Sequence, residues 1–110
     1  SNCLVMIVNV VSPEKEYFSG ESTMVQTRTP NGEIGIYSGH EATVATILPG
    51  GLTIEHADGK DSYAVSGGLL QITPEKVTVL GEIIEKIDGD HDAAIIRGKE
   101  LIEDQSEQDS

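Results

Sequence analysis

Ser38, His40 and Glu41 place a hydroxyl, an imidazole and a carboxylate within four residues. Nucleophilic catalysis uses those groups, with a base held against the nucleophile. No nucleophile-elbow spacing surrounds them, so local turn chemistry is the expected role. Asp88, Asp90 and Asp92 begin like a calcium loop. Such a loop needs Gly at its sixth position and a bidentate Glu at its twelfth. Ala93 and Lys99 stand there, and the cluster reads as the solvated start of a helix. Gly67-Gly68 separates two strand-like runs rather than opening a helix, so it predicts a bulge or a close backbone approach and not a phosphate cradle. Cys3 lies in an apolar run and reads as a core thiol in a strand. His40, His56 and His91 have no ligand partners at metal-binding spacing. The expectation is a chain that binds rather than catalyses, without cofactor or metal.

The elements that must position these residues belong to one domain of 110 residues. Hydrophobic residues make up 37%, enough for a lean core. With 19 acidic and 7 basic residues the formal charge is −12. That excludes a general nucleic-acid binder, which must neutralise phosphates, and a polybasic membrane-surface module. The longest apolar run, Cys3 to Val8, is far below the roughly 20 residues of a membrane helix. One cysteine forms no internal disulfide, and no signal-peptide pattern is visible, so a soluble intracellular-type domain is expected.

Glycine and proline punctuate short runs rich in Val, Ile, Thr and Leu up to Gly81, which predicts an all-β sandwich or barrel. The first strand runs from Leu4 to Val11, apolar on nearly both faces. Ser22 to Arg28 follows with Met24 as its apolar anchor, then Glu33 to Tyr37. Leu52 and Ile54 alternate with Thr53 and Glu55 as in a half-buried strand. Asp58-Gly59 predicts a hairpin whose two turn residues both take positive φ. Thr73-Pro74-Glu75-Lys76 predicts a second hairpin, between Leu70–Ile72 and Val77–Val79. Ile83, Ile84 and Ile87 form a last strand. The helical stretch is Ala93 to about Asp104, with Ala94, Ile95, Leu101 and Ile102 on one face. Gly98 on that face permits close approach to a sheet. The domain reading is a sandwich over 1–87 and an acidic turn, short helix and polar tail over 88–110.

Three segments in register carry a family resemblance. They are Val10-Val11-Ser12-Pro13-Glu14 with Phe18-Ser19-Gly20; Gly32-Glu33-Ile34-Gly35-Ile36-Tyr37-Ser38-Gly39-His40; and Val65-Ser66-Gly67-Gly68-Leu69-Leu70 with Val77-Thr78-Val79-Leu80. With Leu48-Pro49-Gly50 between them, they resemble the N-terminal domain of the epsilon subunit of F-type ATP synthase, called delta in mitochondria. The resemblance covers residue 5 to about 87. It implies a ten-stranded β-sandwich followed by C-terminal helices. It implies a non-catalytic rotor subunit that joins the gamma subunit to the c-subunit ring, coupling proton flow to ATP synthesis. It also implies peripheral attachment at the cytoplasmic face of a bacterial membrane, and an isolated chain that is monomeric. Transient contact with catalytic subunits belongs to the same picture.

Position by position, the resemblance puts Ser12 and His40 on a face towards gamma, with exposed apolar area, and Asn31, Gly32 and Glu33 against the polar loops of the c-ring. Taken without it, Ser12 starts the turn at Pro13, His40 supports its own turn, and Glu33 is a solvated loop acid. The alternative function is a stand-alone β-sandwich interaction module with another partner. The chain departs from the family at Ser38 and at Glu41-Ala42-Thr43, where prolines are usual, and in the tail. Ile87-Asp88-Gly89-Asp90-His91-Asp92 keeps two residues of an ATP-binding Ile-Asp-x-x-Arg-Ala motif, with His91 in place of the arginine. The expectation is poor ATP binding and weak inhibition by a helix of about 12 residues that lies on the sandwich.

Overall fold

The computed structural model describes residues 5–108. Ten strands fall into two five-stranded sheets, followed by one helix. The first sheet contains β1 (Met6–Val11), β2 (Glu16–Ser22), β5 (Thr43–Ile47), β8 (Gly68–Ile72) and β9 (Lys76–Gly81), in the order β2-β1-β9-β8-β5. The second contains β3 (Met24–Thr29), β4 (Gly32–Ile36), β6 (Gly50–His56), β7 (Gly59–Val65) and β10 (Ile84–Ile87), in the order β10-β7-β6-β3-β4. Every pairing is antiparallel except β1 with β9.

Strand alternation sends one set of side chains inward from each sheet. Met6, Val8 and Val10 of β1, Leu70 and Ile72 of β8, and Val77 and Val79 of β9 meet Val25, Ile36, Leu52, Ile54, Tyr63 and Val65 of the second sheet. Burial of these side chains is the main stabilising term, at about 1.5–3 kcal/mol each. Tyr63 is the largest fully buried side chain. Its ring stands edge-on to Tyr17, with the ring centres 6.3 Å apart.

Several expectations need correction. The first strand is apolar on nearly both faces as expected, but only its inner face is in the core, and Ile7 on its outer face is exposed; Cys3 and Leu4 lie outside the described residues. On β3 the anchor is Val25, with Thr27 and Thr29 beside it on the inner face, while Met24 faces outward and is half-buried. Strands β2 and β5 were not legible, because Glu16–Ser22 mixes two aromatics with acids, serines and a glycine, and Thr43–Ile47 is only five residues long. The β6–β7 hairpin forms, but Gly59 alone takes positive φ, at 129°. Its turn residues Ala57 and Asp58 keep negative φ, so the turn is not the doubly left-handed type. Strand β6 is buried on both faces because a helix covers its outer side.

That helix, α1, runs His91–Gln108, longer at both ends than the expected stretch. Asp90 caps it: its carboxylate accepts the Ala93 N–H at 2.9 Å. Ala94, Gly98 and Leu101 are buried at one-turn spacing. Ile95 is only half-buried, and Ile102 is 38% exposed rather than packed. A straight helix on a twisted sheet leaves the edges of its apolar stripe uncovered. The Gly67-Gly68 reading holds: Gly67 has φ 140°, and a side chain on Gly68 would strike the Leu80 carbonyl across the β8–β9 ladder.

Candidate functional site

Ser12 closes the turn between β1 and β2. Its N–H donates to Lys15 O at 2.9 Å, and its Oγ accepts the N–H groups of Glu14 and Lys15 at 3.2 and 3.4 Å. Ser12 also lines a shallow groove of about 370 Å³ with Val11, Pro13, Leu80, Gly81 and Glu82. The groove opens onto the outer face of the first sheet. Register puts Val11, Leu80 and Leu69 in one rung of that face, Val44 in the next rung with Gln71, Thr78 and Asn9, and Ile7 one rung further. Leu80, Leu69 and Ile7 are exposed, and Val44 is 68% exposed. Burying them inward is impossible, since their strand neighbours already fill the core.

His40 lies in the link from β4 to β5, which crosses between the sheets. The Gly39 N–H donates to Pro74 O at 2.8 Å, fastening this link to the β8–β9 turn. The His40 ring donates from Nδ1 to Glu41 O at 2.7 Å. His40 and Glu41 therefore serve the turn. Ser12 lies beyond the Val11–Leu80 end of the first sheet and His40 beyond its Thr43–Ile72 end. The two expected partner contacts are at opposite ends of one sheet, separated by the length of β1, about 20 Å at 3.3 Å per residue. A partner that touches both must lie along the sheet.

Pro30 and Asn31 form the β3–β4 turn, with Thr29 Oγ1 accepting the Asn31 N–H at 3.2 Å, and Gly32 opens β4 at φ 110°. Glu33 follows on the outer face of edge strand β4. Its Oε1 lies 2.9 Å from Nε2 of His91, the first residue of α1. Nδ1 of His91 lies 2.7 Å from Thr53 Oγ1, which is 2.8 Å from Ser62 Oγ. Sequence reading missed this chain, because its members come from four elements and the only local hint was the outward alternation of Thr53 and Ser62. Glu33 is thus not simply a solvated acid.

Two further polar clusters tie elements together. Arg97 of α1 reaches Glu85 of β10 through Nε and a terminal nitrogen, at 3.1 and 3.0 Å, and also meets Glu100 and Asp104. These carboxylates, Glu85 first, hold the guanidinium pKa above its ordinary value. His56 Nε2 lies 3.2 Å from Asp61, whose other oxygen is 3.5 Å from Lys86. Among the described residues no group of three or more His, Cys, Asp or Glu side chains is placed to hold a metal.

The class defined here is a two-sheet sandwich with one sheet open outward through an apolar groove and the other braced by a C-terminal helix. Residues 5–87 match the family described as ATP synthase, Delta/Epsilon chain, beta-sandwich domain, and the chain belongs to that family. It is 43% identical over 81 residues to an ATP synthase epsilon chain of Neisseria meningitidis, covering 72% of this chain and 58% of that one. It is 41% identical over 97 residues to the epsilon chain of Polaromonas naphthalenivorans, covering 87% and 62%. The chain thus spans less than two thirds of the length of these relatives. A chain in the Euglena gracilis mitochondrial ATP synthase structure, described as OSCP/F1/c-ring, superimposes with a TM-score of 0.72 at 26% identity, covering 94% of this chain and 65% of that one. A chain from the central stalk/c-ring structure of the Tetrahymena thermophila enzyme shares the fold, with a TM-score of 0.63 at 13% identity, covering 87% and 89%.

Proposed function

We propose that this chain is a non-catalytic central-stalk subunit of a proton-translocating F-type ATP synthase, joining the gamma subunit to the c-ring and so coupling proton flow to ATP synthesis. Family membership and the stalk and c-ring complexes of its structural relatives support the reading. The observation that carries it is the apolar outer face of the first sheet, with Ser12 in its groove and His40 beyond its far end. A permanent partner interface is apolar at its centre and polar at its rim, and Val11, Leu80, Leu69 and Val44 supply such a centre. The gamma subunit lies along this face. The Asn31-Gly32-Glu33 turn meets polar loops of the c-ring. The chain is then peripheral at the cytoplasmic face of a bacterial membrane; no helix among the described residues is long and apolar enough to cross one.

Co-purification with the cognate gamma subunit tests the reading. Leu80→Glu puts a charge in the centre of the face without touching the core, and should weaken binding at least tenfold while the isolated variant melts normally. His40→Glu, at the end of the face, should weaken it less. Unchanged affinity in Leu80→Glu would point to a different partner for the sandwich.

A further inference from the structure

We propose that His91 is a positioning residue for Glu33, and that through this pair the docking of α1 and the presentation of the β3–β4 turn are one coupled unit. Glu33 sits on an edge strand, where the sheet offers it no neighbour on one side. Directly across the ladder stands Arg28, a guanidinium that could take the carboxylate. The side-chain hydrogen bond Glu33 makes among the described residues is instead with Nε2 of His91, 58 positions away.

His91 is fixed from two sides. Its Nδ1 is held by Thr53, which is buried and anchored in turn by Ser62. Its backbone is the first residue of a helix capped by Asp90. The helix lies close on β6, because the His91 carbonyl and the Ile95 nitrogen are 3.1 Å from where a side chain on Gly51 would be. The imidazole is therefore a rigid donor aimed at Glu33. Moving the carboxylate removes a tie from the first turn of α1, and undocking that turn releases the carboxylate. Coupling of this kind is reciprocal. If the turn meets the c-ring, as in the reading above, a partner that draws Glu33 away loosens the start of α1.

Amide hydrogen exchange on the whole isolated chain tests the pair without any partner. In Glu33→Ala the first-turn amides of α1 should exchange about three- to tenfold faster. In His91→Ala the amides of residues 31–34 should do the same. The double variant should change neither segment beyond the larger single effect, because one interaction is lost only once. The β8–β9 ladder is the internal control and should keep its rates. Glu33→Gln keeps the size and removes the charge, and should loosen the first turn of α1 in the same direction. Unchanged first-turn rates in both Glu33 variants, or effects that multiply independently, would overturn the proposal. Either result leaves the rotor reading standing, whereas loss of gamma binding says nothing against the pair.

Discussion

Gly98 of α1 and Gly50 of β6 meet backbone to backbone. A Cβ on Gly98 would lie 2.7 Å from the Gly50 nitrogen and overlap its carbonyl. Helix and strand are as close as main chains allow, and Gly98 needs the absence of a side chain rather than a special φ, whereas a Cβ on Gly50 would meet only ordinary contacts. In an exposed helix, Gly→Ala gains about 1 kcal/mol from propensity. Here overpacking against rigid backbone opposes it, at about 1–3 kcal/mol. Gly98→Ala should therefore lower the melting temperature or release α1, seen as faster exchange along the helix. A more stable variant with α1 still docked would show that the contact is loose.

Thr27 faces the core with its hydroxyl buried and without a hydrogen-bond partner among the described residues. An unsatisfied buried hydroxyl costs about 1–3 kcal/mol. Thr27→Val keeps the shape and the strand preference, and should raise stability by about 1 kcal/mol in urea denaturation. Thr53→Val is the contrast: its hydroxyl bonds to both Ser62 and His91, so that variant should lose stability.

Tyr63 should make the protein sensitive to alkali. Burial, followed by the charge of Asp61, pushes its phenol up to about 12 from 10.0. The unfolded chain then releases this proton at lower pH than the native one. Between about pH 10 and 12 the native state holds more protons, so stability falls as pH rises through that window and is fully present below it. Tyr63→Phe should flatten this loss in denaturation series at pH 9 and pH 11.5. An equally steep loss in the variant would place its origin elsewhere.

A cysteine in place of Glu33 should form a disulfide with one placed in the c-subunit polar loop, in the assembled enzyme. A cysteine in place of Thr78, on the outer face of the first sheet, should not. Trapping from Thr78 and not from Glu33 would reverse the proposed orientation of the sandwich.

The strands rich in Val, Ile and Leu were legible because alternation and turn chemistry are local. Leu70–Ile72, Thr73–Lys76 and Val77–Val79 specify their hairpin within ten residues. Asp90 and the acidic turn specify the start of α1 for the same reason. Strands β2 and β5 were not legible. Tyr17 and Phe18 in β2 stand among acids, serines and a glycine, and β5 is only five residues long; both pair with edges that β1 and β8 offer. The motif residues Ser12, Asn31, Gly32, Glu33 and His40 could all be picked out from sequence, but not their relative placement. Ser12 and His40 are 28 positions apart and end up at opposite ends of one sheet; Glu33 and His91 are 58 apart and touch. Composition, charge and local periodicity determined that this chain is an acidic, mainly β sandwich with a capped helix. Which sheet the helix covers, and therefore which sheet keeps its apolar face open, was decided only in three dimensions. The reason is physical: Gly98 permits close approach to a sheet, but its seat exists only when the second sheet brings Gly50 and Gly51 under α1.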